Sequence, residues 1–476
     1  MDKIINSIND IVWSQALIIL CLGAGVYFSF ITRFLQVRYL KEMVGLLWKG
    51  ESSEKGVSTF QAFTMAIAGR VGTGNIAGVA TAIAMGGPGA IFWMWMIAFL
   101  GSASAFIEAT LGQIYKQVKD GHYRGGPSYY IEKGLGVKWY AVVFAVATII
   151  SSALLLPGVQ SNSIASSIKN AFDVPPTVTG GAVTLLLGLI IFGGVKRIAR
   201  VAEIVVPFMA AAYILMAVVI ICMNLPEVPA MFGLIFRSAF DLEPAFAGIF
   251  GMAVAWGVKR GIYSNEAGQG TAPHAAAAAE NSHPVKQGLV QAFSVYVDTL
   301  FVCTATAFMI LFTGKYNVVN PAGGFIVENL PGVAIGPEYT QQAISTYFPS
   351  IGAGFVAVSL FFFAFTTIMA YYYIAETNLS YLNKYHSRRW MLWLLRILIL
   401  VTVFYGSIRT AELAWAVGDI GVGIMAWLNV IAIILLRKPA LLALKDYSRQ
   451  LKAGRDPEFN PTELGIKNAD EWKTLK

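Results

Sequence analysis

Charge is scarce in this chain of 476 residues: Asp, Glu, Lys and Arg make up 13%, against about a quarter in an ordinary soluble domain. Cysteine occurs three times, as Cys21, Cys222 and Cys303, within apolar runs and at unrelated spacings. That excludes a disulfide framework and a thiolate metal site. There are four histidines, and His274, Glu280 and His283 match no compact ligand spacing. Gly72-x-Gly74-x-x-Ala77-Gly78 has the look of a dinucleotide loop, but no strand precedes it and no βαβ unit surrounds it. Without a nucleotide loop, an acid–base cluster or a nucleophile motif, neither a pump nor an enzyme is expected, and no cofactor. The net charge of +8 does not signal nucleic acid, because the basic residues lie between apolar runs and in the tail.

Apolar sequence is what abounds: 56% of residues, with a mean hydropathy of +0.62. Many runs reach the roughly 20 residues needed to cross a bilayer. Eleven spans are predicted, near 13–32, 60–84, 88–116, 138–168, 177–194, 200–223, 245–272, 285–313, 349–381, 389–408 and 411–436. The first is too long for a signal-peptide core and lacks a small-residue cleavage pattern, so it reads as a retained helix. Lys and Arg alternate between loops: 26 fall in one set, including the tail after Leu436, and 5 in the other (Lys3, Lys169, Arg237, Lys315, Arg409). The positive-inside rule then places the N-terminus outside and the C-terminus in the cytoplasm of a multi-pass cell-membrane protein. Segment 224–244, with Phe232, Phe236 and Phe240, is expected along the interface, and 314–348 over the outer mouth. The tail, 437–476, is charged and expected to be peripheral. One transmembrane domain accounts for the chain.

The span 60–84 is interrupted by Gly69-Arg70-Val71-Gly72-Thr73-Gly74-Asn75. Each glycine weakens a helix by roughly 1 kcal/mol relative to alanine, and an arginine at that depth costs a few kcal/mol without a partner. Irregular backbone persists in a bilayer only where it is buried in protein or lines a cavity, so the interruption predicts a binding site. A second segment, Trp256 to Gly268, repeats it: Arg70, Asn75, Gly78 and Thr81 match Arg260, Asn265, Gly268 and Thr271 at an offset of 190. The intervening spans give the two segments opposite directions. Two five-span halves of opposite orientation, 60–223 and 245–436, each opening on a broken helix, are the plan of an inverted-repeat transporter. A channel is the rival plan, because broken helices also line pores. Gly86-Gly87-Pro88-Gly89-Ala90-Ile91-Phe92-Trp93-Met94-Trp95-Met96-Ile97-Ala98-Phe99-Leu100-Gly101 resembles the signature of the sodium:alanine symporters, the alanine-or-glycine:cation symporter family. Val71 to Ile76, Lys259 to Gly268 and Phe363-Ala364-Phe365-Thr366-Thr367 resemble that family too, so the resemblance spans essentially the whole chain.

The resemblance implies a LeuT-type fold, all-α, with ten core helices in a 5+5 inverted repeat after one additional N-terminal helix. It implies symport of a small neutral amino acid with Na⁺, proton coupling being the nearer alternative. By analogy within that fold, the substrate carboxylate meets Thr73 and Gly74, with Asn75 nearby. The cation then sits between the carbonyls of Ala68 and Val71 and the Phe363 carbonyl, with the Thr366 and Thr367 hydroxyls. A half-helix N-terminus suits a carboxylate, and exposed carbonyls suit a hard cation. Many relatives read Gly-Trp-Ser-Tyr-Tyr-Gly-Glu where this chain has Ala370-Tyr371-Tyr372-Tyr373-Ile374-Ala375-Glu376. Tyr371 thus stands where a tryptophan is expected, and Ala77 is a small residue beside the break; together they suggest that glutamine or asparagine is carried as well as alanine and glycine.

Charged residues within spans carry a functional expectation of their own. Glu203, Glu376 and Glu412 are expected to pair structurally, Arg260 and Glu266 to form a gating pair, and Asp298 to attract a cation or take a proton. Pro157 should kink its span, turning Gln160 to Ser163 toward an outer vestibule or between helices.

Overall fold

The computed structural model describes residues 2–50, 52–246, 248–383 and 389–472, with side chains from Ile4 onward. Of the basic residues tallied above, Lys384, Arg388, Lys473, Lys476 and the side chain of Lys3 lie outside that range.

Eight helices among the described residues are long and apolar enough to cross a membrane: Ile4–Ile31, Gly89–Ile114, Lys138–Phe172, Gly194–Met223, Pro284–Thr313, Gly352–Leu382, Arg389–Ser407 and Ala411–Leu435. The other three expected spans are helical but different in kind. Pro176–Ile191 is short. The first broken helix runs Thr59–Arg70 and resumes at Gly74–Gly86. The second runs Phe250–Asn265 and resumes at Ala272–Ala278, so it starts and ends later than 245–272. The N-terminal span is made of two helices, Asp2–Val12 and Gln15–Ile31. Trp13 follows the first of them and donates from its indole N–H to the Asp419 carbonyl at 2.8 Å.

Helix is not the sole element type. Two small antiparallel hairpins lie in loops, Gln117–Lys119 with His122–Arg124, and Asn317–Val319 with Phe325–Glu328. Besides Gly74–Gly78 in the first broken helix, two spans carry π-helical turns, Ser151–Leu155 and Val297–Cys303. The former lies just ahead of Pro157, whose missing N–H and ring disturb the regular ladder there.

The basic loops gather on one face. Val57 bridges to Ala279, and the Tyr123 N–H donates to the Lys55 carbonyl at 2.9 Å. The tail joins them. Helix Arg437–Lys452 carries Asp446 to His283 at 3.4 Å, where the imidazole holds its carboxyl below the usual range. Beyond it, the Phe459 N–H donates to the Ser282 carbonyl and the Trp472 indole N–H to the Gln113 carbonyl, each at 2.9 Å. On the opposite face, helix Val228–Ala239 lays Phe232 and Phe236 against Trp95 and Phe92. Helix Pro337–Tyr347 ties down through Glu338, which accepts from Ser166 at 2.5 Å.

Candidate functional site

The two breaks meet. The Arg70 Nε–H donates to the Asn265 carbonyl, the last of its half-helix, at 2.6 Å. A Cβ on Gly74 would stand 3.1 Å from the Ser264 Cα, and one on Gly69 3.1 Å from a Glu266 carboxyl oxygen. Glycine at both positions is therefore what lets the segments approach.

At the first break the backbone itself offers ligands. The Thr367 hydroxyl donates to the Ala68 carbonyl at 2.8 Å, with the Val71 carbonyl at 3.4 Å and the Phe363 carbonyl at 3.0 Å. Four of the five expected cation-site residues thus converge on one hydroxyl. Thr366, the fifth, shares one of these carbonyls: its hydroxyl donates to the Phe363 carbonyl at 3.0 Å and lies 3.9 Å from the Met209 sulfur. Thr366 and Thr367 are three and four residues beyond Phe363 on one helix, so both hydroxyls reach its carbonyl, and that of Thr367 also reaches the Ala68 and Val71 carbonyls.

The N–H groups freed at the break are held by side-chain oxygens. Asn75 folds back so that Oδ1 accepts from the Gly72 N–H at 2.9 Å, while Gln160 Oε1 accepts from the Thr73 N–H at 3.0 Å. The Thr73 hydroxyl is buried without a partner. The amide nitrogen of Asn75 donates to Asp298 Oδ1 at 2.7 Å. Tyr371 is buried, and its phenol faces both Gln160 and Glu266. Ala77 sits within the turn Gly74–Gly78, its carbonyl taken by Thr81, and joins none of these contacts. Gln160 was legible only as part of a polar stretch; its neighbour Asn162 is tied instead to the Gly406 and Arg409 carbonyls at 3.1 and 2.7 Å.

The second break is built differently. Glu266 ends the half-helix in a left-handed conformation, and Gly268 and Gly270 follow with φ of 79° and 87°. The loop N–H groups of Gly268 and Gly270 donate to Glu108, on Gly89–Ile114, at 3.3 and 3.1 Å. The expected Arg260–Glu266 pair does not form. Arg260 makes a two-pronged bond to Asp419 at 2.9 Å for each prong, Lys259 joins at 2.8 Å, and Trp415 covers the guanidinium at 4.4 Å. The 190-residue match is not a structural register either: Arg70 ends its half-helix, whereas Arg260 lies five residues before the end of its own. Of the three glutamates assigned to pairing, Glu376 bonds Arg124 at 2.9 Å and Glu203 accepts from Gln61 at 3.0 Å, while Glu412 is exposed.

A solved Na⁺-coupled sialic acid symporter, in a substrate-bound outward-open state, has the same fold, with a TM-score of 0.55 and 13% identity over 98% of this chain and 97% of that one. The chain is 66% identical to YrbD of Bacillus subtilis (strain 168), named there provisionally as a sodium/proton-dependent alanine carrier protein, over 99% of this chain and 98% of the relative. It is 46% identical to GlnT of the same organism, a "probable sodium/glutamine symporter", over 96% and 93%. Residues 1–461 match the sequence profile of the sodium:alanine symporter family, and the chain belongs to that family.

Proposed function

We propose that this protein carries small neutral amino acids, alanine and glycine foremost, into the cell by symport with Na⁺. It works by alternating access and is a transporter, not an enzyme. One observation carries the reading: two half-helix ends meet at a buried break where the Thr367 hydroxyl lies against the Ala68, Val71 and Phe363 carbonyls. That is a cluster of hard oxygen donors, suited to an alkali cation. Thr73, Gly74 and Asn75 take the substrate carboxylate beside it, with Tyr371 toward the side chain. The cation supplies the driving force: about 2.3 kcal/mol per charge per 100 mV, and about 1.4 kcal/mol more per tenfold gradient.

The architecture belongs to the same proposal. Eleven spans form two inverted halves, 60–223 and 245–436, after an extra helix at 13–32, with the tail 437–476 cytoplasmic and the N-terminus outside. The gathering of the basic loops with the tail on one face supports that orientation. The Tyr371 phenol next to Gln160 supports glutamine or asparagine as a further substrate, because both add a hydrogen-bonding group to an otherwise apolar side-chain site. Proteoliposome uptake across an amino-acid panel, with Na⁺ and pH gradients imposed separately, tests the whole reading. Na⁺-driven accumulation of alanine is expected, and glutamine should compete. Facilitated equilibration without accumulation would mean a channel or uniporter, and alanine uptake untouched by excess glutamine would remove the wider substrate range.

A further inference from the structure

We propose that Glu266 is a proton-binding site, the carboxyl through which pH enters the transport cycle; this deepens the symport reading and rests on it. Three carboxylates, Glu108, Glu266 and Asp298, are buried around one guanidinium, Arg70. Among the described residues none of the three forms an ion pair. Arg70 spends its N–H groups on the Asn265 and Gln291 carbonyls, the Gln291 side chain and Ser294, and its Nη2 has no partner. With all three acids ionised, one positive charge stands against three negative ones. An uncompensated buried charge costs several kcal/mol, so a proton or a cation must relieve the cluster.

Geometry separates the three. Both oxygens of Glu108 are held, by the Gly268 N–H, the Gly270 N–H and the Asn429 amide. Both oxygens of Asp298 are held, by Asn75, Ser264 and Thr299. Glu266 differs: Oε2 accepts from Thr271 at 2.7 Å, whereas Oε1 is buried with no hydrogen-bond partner. Glu266 also lines a small cavity with Met65, Gly69, Thr271, Ala275 and Tyr373. That cavity lies between the half-helices Thr59–Arg70 and Ala272–Ala278 and the span Gly352–Leu382.

The groups facing Glu266 are few. Arg70 faces it from the first broken helix and Asp298 from Pro284–Thr313, with the Tyr371 phenol from Gly352–Leu382 and Tyr263 from its own half-helix. Tyr373 faces the cavity, and Glu108 lies beyond Arg70. His274, on the half-helix that follows, is turned to Asn378. Arg70 attracts a negative charge on Glu266 and Asp298 repels one, so the charge around Glu266 changes whenever the half-helices part. In the protonation step a hydronium in the cavity gives its proton to the Oε1 lone pair and leaves as water. The carboxyl becomes neutral and the O–H can then donate. Reopening to water reverses the step.

Two measurements on the full-length protein test this. Na⁺-driven alanine uptake into proteoliposomes is followed from acidic to mildly alkaline pH, and alanine is added with Na⁺ to weakly buffered detergent-solubilised protein containing a pH dye. The wild type should show pH-dependent uptake and a proton exchanged on alanine binding. Glu266→Gln should lose both the pH dependence and the dye signal. If Glu266→Gln does not elute as a monodisperse species, Glu266→Asp should keep the pH dependence but shift its midpoint. A wild type that exchanges no proton overturns the proposal. So does a Glu266→Gln protein with the wild-type profile, an unshifted Glu266→Asp, or a signal that disappears instead in Glu108→Gln or Asp298→Asn. Absence of any Na⁺-driven alanine uptake in the wild type would count against the symport reading itself.

Discussion

The two broken helices solve one problem in opposite ways. At the first, the chain keeps its own freed groups available: carbonyls of Ala68 and Val71 face a hydroxyl, and N–H groups of Gly72 and Thr73 are held by exchangeable amide oxygens. At the second, the freed N–H groups of Gly268 and Gly270 are committed to a carboxylate from another span, Glu108. The arginines follow suit. Arg260 is locked into an ion pair with Asp419, whereas Arg70 is held by neutral groups. Exchangeable partners suit a place where ligands come and go, and committed ones suit a hinge or gate that must re-form the same way each cycle.

That contrast can be broken at its strongest point first. Asp419→Ala leaves Arg260 and Lys259 buried without their partner, which should destabilise the protein by about 3–5 kcal/mol; denaturation in detergent reads this directly. A loss near zero would mean that the ion pair does not anchor the second broken helix. Gly72→Ala places a Cβ 2.5 Å from the Thr367 hydroxyl and 3.0 Å from Gln160, an overpacking worth about 1–3 kcal/mol. Alanine uptake should fall well below what that stability loss explains, because the Cβ displaces the hydroxyl from the Ala68 and Val71 carbonyls. Normal uptake would show that the first break is not the site.

The smallest effect lies outside both breaks. Asp446 has its pKa depressed by His283, so its contribution to tail docking is complete above the ordinary carboxylate pKa of about 4 and fades as pH falls through the depressed value. Asp446→Asn should therefore speed hydrogen exchange in 437–472 at neutral pH, by the equivalent of about 1 kcal/mol. The difference from wild type should vanish in acid. Equal exchange at neutral pH would show that the tail is held by its apolar residues alone.

Much of this was legible in the sequence. The helical segments follow from apolar runs of near-membrane length, and the first break from glycines around a costly arginine. The second break was expected within Trp256 to Gly268, from the glycines and polar residues there, among them Lys259 and Arg260. Those two lie in regular helix, made tolerable by Asp419, 159 residues away from Arg260; a partner that distant leaves no local trace. Gln160 reaches the Thr73 N–H from a third element and was hidden for the same reason. The tail read as peripheral because it is charged, and how it docks was not visible, because Phe459 and Trp472 are buried in it without a helical or strand period. The Thr366-Thr367 pair was visible, but which hydroxyl faces the break depends on helix rotation, which two adjacent identical residues cannot report.

That last distinction bears on the central claim, that the first break holds the coupling cation. The decisive measurement is the Na⁺ dependence of alanine binding to purified wild type, Thr367→Ala and Thr366→Ala. Thr367→Ala should raise the half-saturating Na⁺ concentration about tenfold or more, equivalent to about 1.4 kcal/mol, while Thr366→Ala should change it far less. A Thr367→Ala protein with wild-type Na⁺ affinity would contradict the account and move the cation site away from Ala68, Val71 and Phe363.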